Sequence, residues 1–402
     1  MNFKVKKLLK TIKEVKQFSL NSIINNFLKN KYRFFIILSF VPVYILHLYL
    51  PKLLSVENYG YLKKILVWVS YTSILSFGSK DQYLQDIASK SKKDKGYFYF
   101  GIIGLLVSVL LLTVIIPERP REFYGTLSLI LFLFLFTFYQ YFEIYTTYAV
   151  DKLSSSKLKI SKELLTLFFV VFFFFSFNIK DYKLWFLSIV ISLIFTFIFY
   201  YKNLILFLRS IINEITPLRF PFKGFQIQIT NLASQLSLSI DKLIGVVILS
   251  NTEYGMYAFI FIVPQAAIAL GAQFGNFNYD IQFIKQTNNK KITTEIFLSL
   301  VIGVLTAIGI YVLSIIINKY EVTIEKIILV SFCTVLNYFW SVYSQNYYRV
   351  NFKKRDVMLF VFFIFCVIGL SFLFLKNSND LLILFALLSI LKFIYTLKIF
   401  VK

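Results

Sequence analysis

The stretch "FQIQITNLASQLSLSIDKLIG" at residues 225–245 concentrates the groups that could do chemistry in an otherwise apolar chain. At about 100° per residue, Gln228, Asn231, Gln235, Ser239 and Lys242 fall on one helical stripe, and Thr230, Ser234, Ser237 and Asp241 on another. On the first stripe Lys242 offers a fixed cation for an anionic group, and the amides beyond it offer hydrogen-bonding groups. Asp241 lies off that stripe, as a carboxylate able to take a proton or a sodium ion. A purely structural reading stands beside this one: an Asp241–Lys242 pair bonded to neighbouring helices, its lysine stem snorkelling outward. Lys63 and Lys64 supply two further cations, either for the same anion or as interfacial snorkels. Glu143, near Gln140 and Thr147, is a second candidate ion-coupling carboxylate, or else the partner of a cation across the bundle. Asn337, Ser341, Ser344 and Tyr348 follow helical spacing, and Trp340, Tyr343 and Tyr347 lie near them. They form either a polar, aromatic site wall or an interfacial aromatic belt. His47, the single histidine, reads as a packed, hydrogen-bonded group. Cys333 and Cys366 imply neither a disulfide framework nor a metal site, and no cofactor is expected.

The elements that must position these residues are membrane spans. The chain is 58% hydrophobic, 19% aromatic and 16% charged, with a mean hydropathy of +0.72. A soluble domain of that composition would expose large apolar patches. Apolar runs of the length that crosses a hydrocarbon core of about 30 Å predict twelve spans: 33–50, 62–79, 97–116, 124–148, 163–179, 183–201, 225–249, 255–276, 294–318, 325–347, 357–375 and 380–400. The formal net charge of +23 does not point to nucleic acid, because its distribution is topological. Of 43 Lys and Arg residues, 31 fall in the N-terminal segment, alternate loops and the C-terminal end, against 8 in the opposite loops. By the positive-inside rule both termini are expected in the cytoplasm. Residues 1–30 read as a basic amphipathic segment lying on anionic lipid, not as a cleavable signal.

A short motif occurs twice. "LLSVENYG" at 53–60 returns as "ILSNTEYG" at 248–255, so Leu54, Ser55, Tyr59 and Gly60 are matched by Leu249, Ser250, Tyr254 and Gly255, each 195 positions later. Each copy follows the first span of a six-span set. Duplication of an even number of spans predicts an all-α membrane protein of two pseudo-symmetric six-helix bundles, 31–202 and 223–402, joined by a cytoplasmic connector at 203–222. The symmetry axis should lie along the membrane normal, with a cavity between the halves.

The segments "ENYGYLKKILVWVSYTSILSFGS", "SIDKLIGVVILSNTEYGMYAFIFIVPQAAIALGAQF" and "NYYRVNFKKRD" resemble the polysaccharide biosynthesis flippases of the multidrug/oligosaccharidyl-lipid/polysaccharide exporter superfamily. The resemblance implies a MATE-like fold, alternating access and a substrate in which an oligosaccharide hangs from polyprenyl pyrophosphate. It implies coupling to H+ or Na+, a place in a bacterial inner membrane among lipids and other polysaccharide-assembly proteins, and no covalent catalysis. A monomer is expected, since one chain encloses the cavity. On that substrate, Lys242, Lys63 and Lys64 would hold pyrophosphate, and Gln228, Asn231, Gln235, Ser239, Asn337 and Tyr343 the glycan. Asp241 and Glu143 would carry the coupling ion. A multidrug or cation antiporter is the alternative within transport. A membrane-embedded polymerase is a weaker one, because the predicted outer loops are short. No GxxxxGK[ST] phosphate loop is present.

Overall fold

A computed structural model describes residues 31–88, 96–115, 122–212, 220–268, 289–339 and 377–401, together with Pro120, Gly369 and Leu375. The predicted eleventh span, apart from Gly369 and Leu375, and the N-terminal basic segment lie outside the described residues. Those described are helical wherever they are regular. In chain order the helices are α1 (Lys31–Leu53), α2 (Val56–Thr72), α3 (Ser79–Ala88), α4 (Phe98–Leu110), α5 (Phe123–Tyr145), α6 (Lys152–Phe177), α7 (Lys183–Phe199), α8 (Tyr201–Ile212), α9 (Phe222–Ile248), α10 (Asn251–Ile260), α11 (Asn289–Ile316), α12 (Ile324–Phe339) and α13 (Ser378–Val401).

These elements form an all-α polytopic membrane protein whose described helices gather into two bundles around a central cavity. Buried apolar side chains gather mainly into one cluster per half, the first around Leu129, Phe132, Phe142 and Phe186, the second around Ile244, Tyr257, Val330 and Leu382. The outward faces are apolar at helical spacing, as at Ile102, Leu106 and Leu110 of α4, which is the surface a bilayer solvates. The phenylalanine run of α6 serves two surroundings: Phe168, Phe172 and Phe175 are exposed, while Val170 and Phe173 are buried.

The second predicted span differs from expectation. It starts at Val56 rather than residue 62 and is broken: a 3-10 turn at Ser73–Ser76 is followed by Phe77 and Gly78 with φ of 50° and 80°, and α3 then resumes. The break is held by a close approach, since a Cβ on Gly78 would meet the Gly224 carbonyl carbon at 2.2 Å. Only a glycine pair lets the two backbones come so near.

The repeated motif is a helix start joined to a crossing point. Ser55 Oγ accepts from the Asn58 amide (3.1 Å), and Ser250 Oγ from the Glu253 amide (3.2 Å), the latter completing a capping box. Both serines thus satisfy amides that a helix N-terminus leaves unpaired. One turn later the glycines meet. A Cβ on Gly60 would lie 1.7 Å from the Asn251 carbonyl oxygen, and one on Gly255 would lie 2.2 Å from that of Val56. Val56 and Asn251 are themselves related by the 195-residue offset, so each copy grips the same point of the other. Such reciprocity marks a contact lying on a two-fold axis.

The same end carries two lysine clasps. Lys64 Nζ donates to the Leu249 carbonyl (2.6 Å), and Lys319 Nζ donates to the equivalent Leu54 carbonyl and to that of Lys52 (3.2 Å). Carbonyls at helix C-termini have no partner within the helix and carry partial negative charge, which favours an ammonium there. Tyr320 adds to the seam by stacking on Phe259 (4.0 Å between centroids) and packing edge-on against Tyr59.

Replacing Gly60 or Gly255 with Ala should destabilise the detergent-solubilised protein by about 1–3 kcal/mol or more, as overpacking does, measured as a lowered midpoint of thermal unfolding; an unchanged midpoint would refute the close crossing. Asp151 caps α6 through the Ser154 amide (2.7 Å), and the Ser154 hydroxyl and amide hold its carboxyl below the ordinary 3.8. Its stabilisation should therefore be complete above that value and vanish as pH falls through the depressed one. Asp151→Ala should cost about 0.5–2 kcal/mol at neutral pH and nothing in strong acid, read from unfolding at both pH values.

Candidate functional site

Between the halves lies a cavity of about 480 Å³, walled by α1, α2, α9, α10 and the helical turn after α10. That is within the range of sites for small organic ligands. Its polar lining is basic. Lys63 comes from α2 of the first half and Lys242 from α9 of the second, close enough for their charges to repel. His47 of α1 also lines it, with Lys63 Nζ 3.4 Å from Nδ1. An ammonium has no lone pair and can only donate. With Lys63 as an ammonium, Nδ1 accepts, and the ring's one N–H is then on Nε2. Lys63 also sits 5.3 Å above the Tyr59 ring. Phe40, Tyr44, Tyr254, Tyr257 and Phe261 form the aromatic part of the wall, and Ser70, Ser239 and Gln265 add hydrogen-bonding groups. No carboxylate is among the described lining residues.

The helix carrying Lys242 is not straight. Ser239 leaves helical geometry (φ −136°, ψ 17°) inside α9, and its hydroxyl meets that of Tyr71 on α2 at 2.7 Å. The kink lies at the cavity wall, where departures from helix within a membrane protein are tolerated. It also bounds the predicted polar stripe. Ser239 and Lys242 line the cavity, whereas Gln228 is buried near the 78/224 end and donates to Ser76 Oγ (3.1 Å). For Asn231 and Gln235 only the helical backbone is described, and Tyr343 lies outside the described residues.

The remaining candidates go elsewhere. Lys64 turns away from the cavity into the clasp on Leu249. Asp241 faces the second half: it is 1% exposed, accepts from Tyr257 Oη at 2.5 Å, and is within electrostatic range of Lys242 and Lys392. Its Oδ1 has no hydrogen-bond partner among the described residues. Asn337 is buried inside the second bundle, donating to Ser389 Oγ (2.8 Å) and the Cys333 carbonyl (3.0 Å), with Lys392 Nζ 3.4 Å from Oδ1. Lys392 is thus a buried member of an internal polar cluster rather than a side chain snorkelling to the interface. Glu143 pairs with Lys159 at 2.6 Å, while neighbouring Gln140 accepts from Lys80 at 3.2 Å. His47 was legible only as a lone intramembrane histidine; its partner Lys63 comes from another helix, so no local signal marks it as cavity-lining.

The fold is thus one of two helical bundles that meet across a central cavity with a basic polar lining and an aromatic wall. A solved structure described as an inward-facing multidrug resistance MATE family transporter of the MOP superfamily shares this fold with a TM-score of 0.56, covering 92% of this chain and 91% of that one at 10% sequence identity. No protein-family model matches the chain, and no curated protein matches it by sequence.

Adjacent lysines make a stringent test of the geometry. Lys64→Met should strand the Leu249 carbonyl and cost about 1–3 kcal/mol of stability, while Lys63→Met should leave the unfolding midpoint nearly unchanged. Calorimetry and thermal unfolding on both variants check this; equal behaviour of the two lysines would be inconsistent with it.

Proposed function

We propose that this chain carries an anionic, lipid-linked oligosaccharide across a bacterial cytoplasmic membrane by alternating access. The observation that carries the reading is the placement of one cavity lysine on each half: Lys63 moves with the first bundle and Lys242 with the second. A diphosphate bridging them would replace their mutual repulsion with two charge-assisted contacts. The imidazole Nε2–H of His47 is a third donor on the same wall, and the tyrosines and Ser239 suit sugar faces and hydroxyls. A glycan in hydrocarbon would lose its hydrogen bonds to water, at several kcal/mol for each unsatisfied group. A polar path past these residues removes that cost while the polyprenyl tail stays in lipid. No covalent step is involved.

Several further features belong to this proposal. Both termini lie in the cytoplasm, with bundles at 31–202 and 223–402 joined by 203–222, and one chain suffices. The seam at Leu54 and Leu249 is then the outer gate and the Gly78–Gly224 approach the inner one. Asp241 is the stronger candidate for an H+ or Na+ site, because its Oδ1 is buried without a hydrogen bond among the described residues while Glu143 already has Lys159. O-antigen, capsule and exopolysaccharide repeat units all fit the chemistry, as does work alongside other assembly proteins. A multidrug antiporter is the competing reading, supported by the aromatic wall and by the function named for the structural neighbour. Two lysines in the lining weigh against a cationic cargo.

Reconstituted vesicles decide between them. The native protein should flip a polyprenyl-pyrophosphate oligosaccharide, and Lys242→Ala, inserted equally well, should slow this about tenfold or more, the loss expected for one charge-assisted bond. Normal flipping by the variant would remove Lys242 from the site. Efflux of an organic cation, with no flipping of several glycans, would move the chain to the drug-transporter reading.

A further inference from the structure

The connector between the halves opens with a helix whose geometry serves no purpose in the cavity. Helix α8 (Tyr201–Ile212) leaves α7 at an angle of 88°. Because α7 is an apolar span, a helix at right angles to its end lies in the plane of the membrane surface. Its inner side is fixed: Phe207 is fully buried, with ring centroids 5.4 Å from Phe138, 5.5 Å from Tyr145, 5.7 Å from Phe142 and 6.5 Å from Tyr83 of the first bundle. The rest of the helix is distributed around that anchor. At about 100° per residue, Leu208, Tyr201, Ile212 and Ile205 fall within an arc of about 60°, roughly a right angle or more from Phe207. All four are exposed, Ile212 by 70% and Tyr201 by 53%. Lys202 and Arg209, both exposed, come next around the helix and point away from the protein. Asn203 and Ser210 fall on the side opposite the apolar arc. The order around the helix is protein anchor, apolar arc, basic pair and uncharged polar side, as for a helix half-sunk in an interface with its cations at headgroup level. Leu206, a single exposed leucine beyond the basic pair, needs no separate account.

We propose that α8 is a lipid-binding strut: its apolar arc enters the acyl region, and Lys202 and Arg209 engage the phosphates of anionic lipids. Under the orientation proposed above this is the cytoplasmic leaflet, although the contact itself does not depend on that assignment. The occupant is a lipid surface rather than a protein groove because the arc adjoins the end of a span and the cations flank it where phosphates lie. Through Phe207 the strut ties the first bundle to the membrane surface at the root of the chain leading to the second.

The test uses the full chain with Cys333→Ala and Cys366→Ala, in vesicles of phosphatidylglycerol and phosphatidylcholine. A bimane label at Leu208→Cys or Ile212→Cys should be quenched by lipids brominated on the acyl chain and shielded from aqueous iodide, with the reverse at Leu206→Cys, which is exposed beyond the basic pair. Iodide quenching equal at all three positions would overturn the in-plane seating. Brominated phosphatidylglycerol should quench the Leu208 label in preference to brominated phosphatidylcholine, by about fivefold for each basic residue. That preference should vanish in the Lys202→Gln/Arg209→Gln protein. Equal quenching by the two lipids before substitution would overturn the anionic selection, and a preference surviving substitution would take it away from Lys202 and Arg209. These readouts need no transport, so they stand whether or not the flippase reading holds.

Discussion

The near-contact of Gly60 with Gly255 sets the geometry on which the remainder depends. Two helix backbones cross with no room for a Cβ between them, each carbonyl of Val56 and Asn251 lying where the other copy's side chain would be. In a bilayer, where apolar burial between helices gains little over contact with lipid tails, close backbone packing of this kind is a principal source of association. Once α2 and α10 cross at that point, their rotation is determined. Lys63 must then face the cavity and Lys64 the seam, and Tyr254 and Tyr257 become part of the opposite wall. The clasps on Leu54 and Leu249 reinforce the crossing by satisfying carbonyls that two helix ends leave open.

The cavity is a consequence of the seam. Beside the crossing, α1, α2, α9 and α10 wall the cavity, and α9 departs from helical geometry at Ser239 on that wall. Tyr71 bonds that serine from the other half, so the distortion is held across the boundary between the bundles. Lys242 and Asp241 are consecutive and yet face different surroundings: one enters the shared cavity and the other is enclosed in the second bundle beside Tyr257. A movement of α9 about the kink would shift both. Under the function proposed above, substrate charge and coupling charge would be linked mechanically, through one backbone.

How far the site was legible follows from which residues needed a partner from elsewhere. The polar stripe of α9 and the basic character of the cavity were apparent in the sequence, because Lys242 and Lys63 stand out in apolar spans. The division of labour between Lys63 and Lys64 was not, since adjacent residues on a helix point about 100° apart and nothing local fixes the helix's rotation. Asn337 looked like a wall residue; it is buried instead against Ser389, 52 positions away, and against Lys392. Glu143 was open between coupling and pairing, and Lys159, two turns into α6, pairs with it.

By itself the sequence determined the class of the protein: a multi-span chain with alternating basic loops and two halves bearing the same capped helix start. These are one-dimensional signals, because apolar length, loop charge and a Ser cap each act on the residues beside them. The tertiary structure decided the break at Phe77 and Gly78, the right angle at α8, the cavity's membership and the role of His47. Each of these depends on a backbone or side chain far away in the chain, such as Gly224 against Gly78 or Lys63 against His47. Contacts of that kind exist only after the helices have been packed, and their rotations fix which neighbours meet.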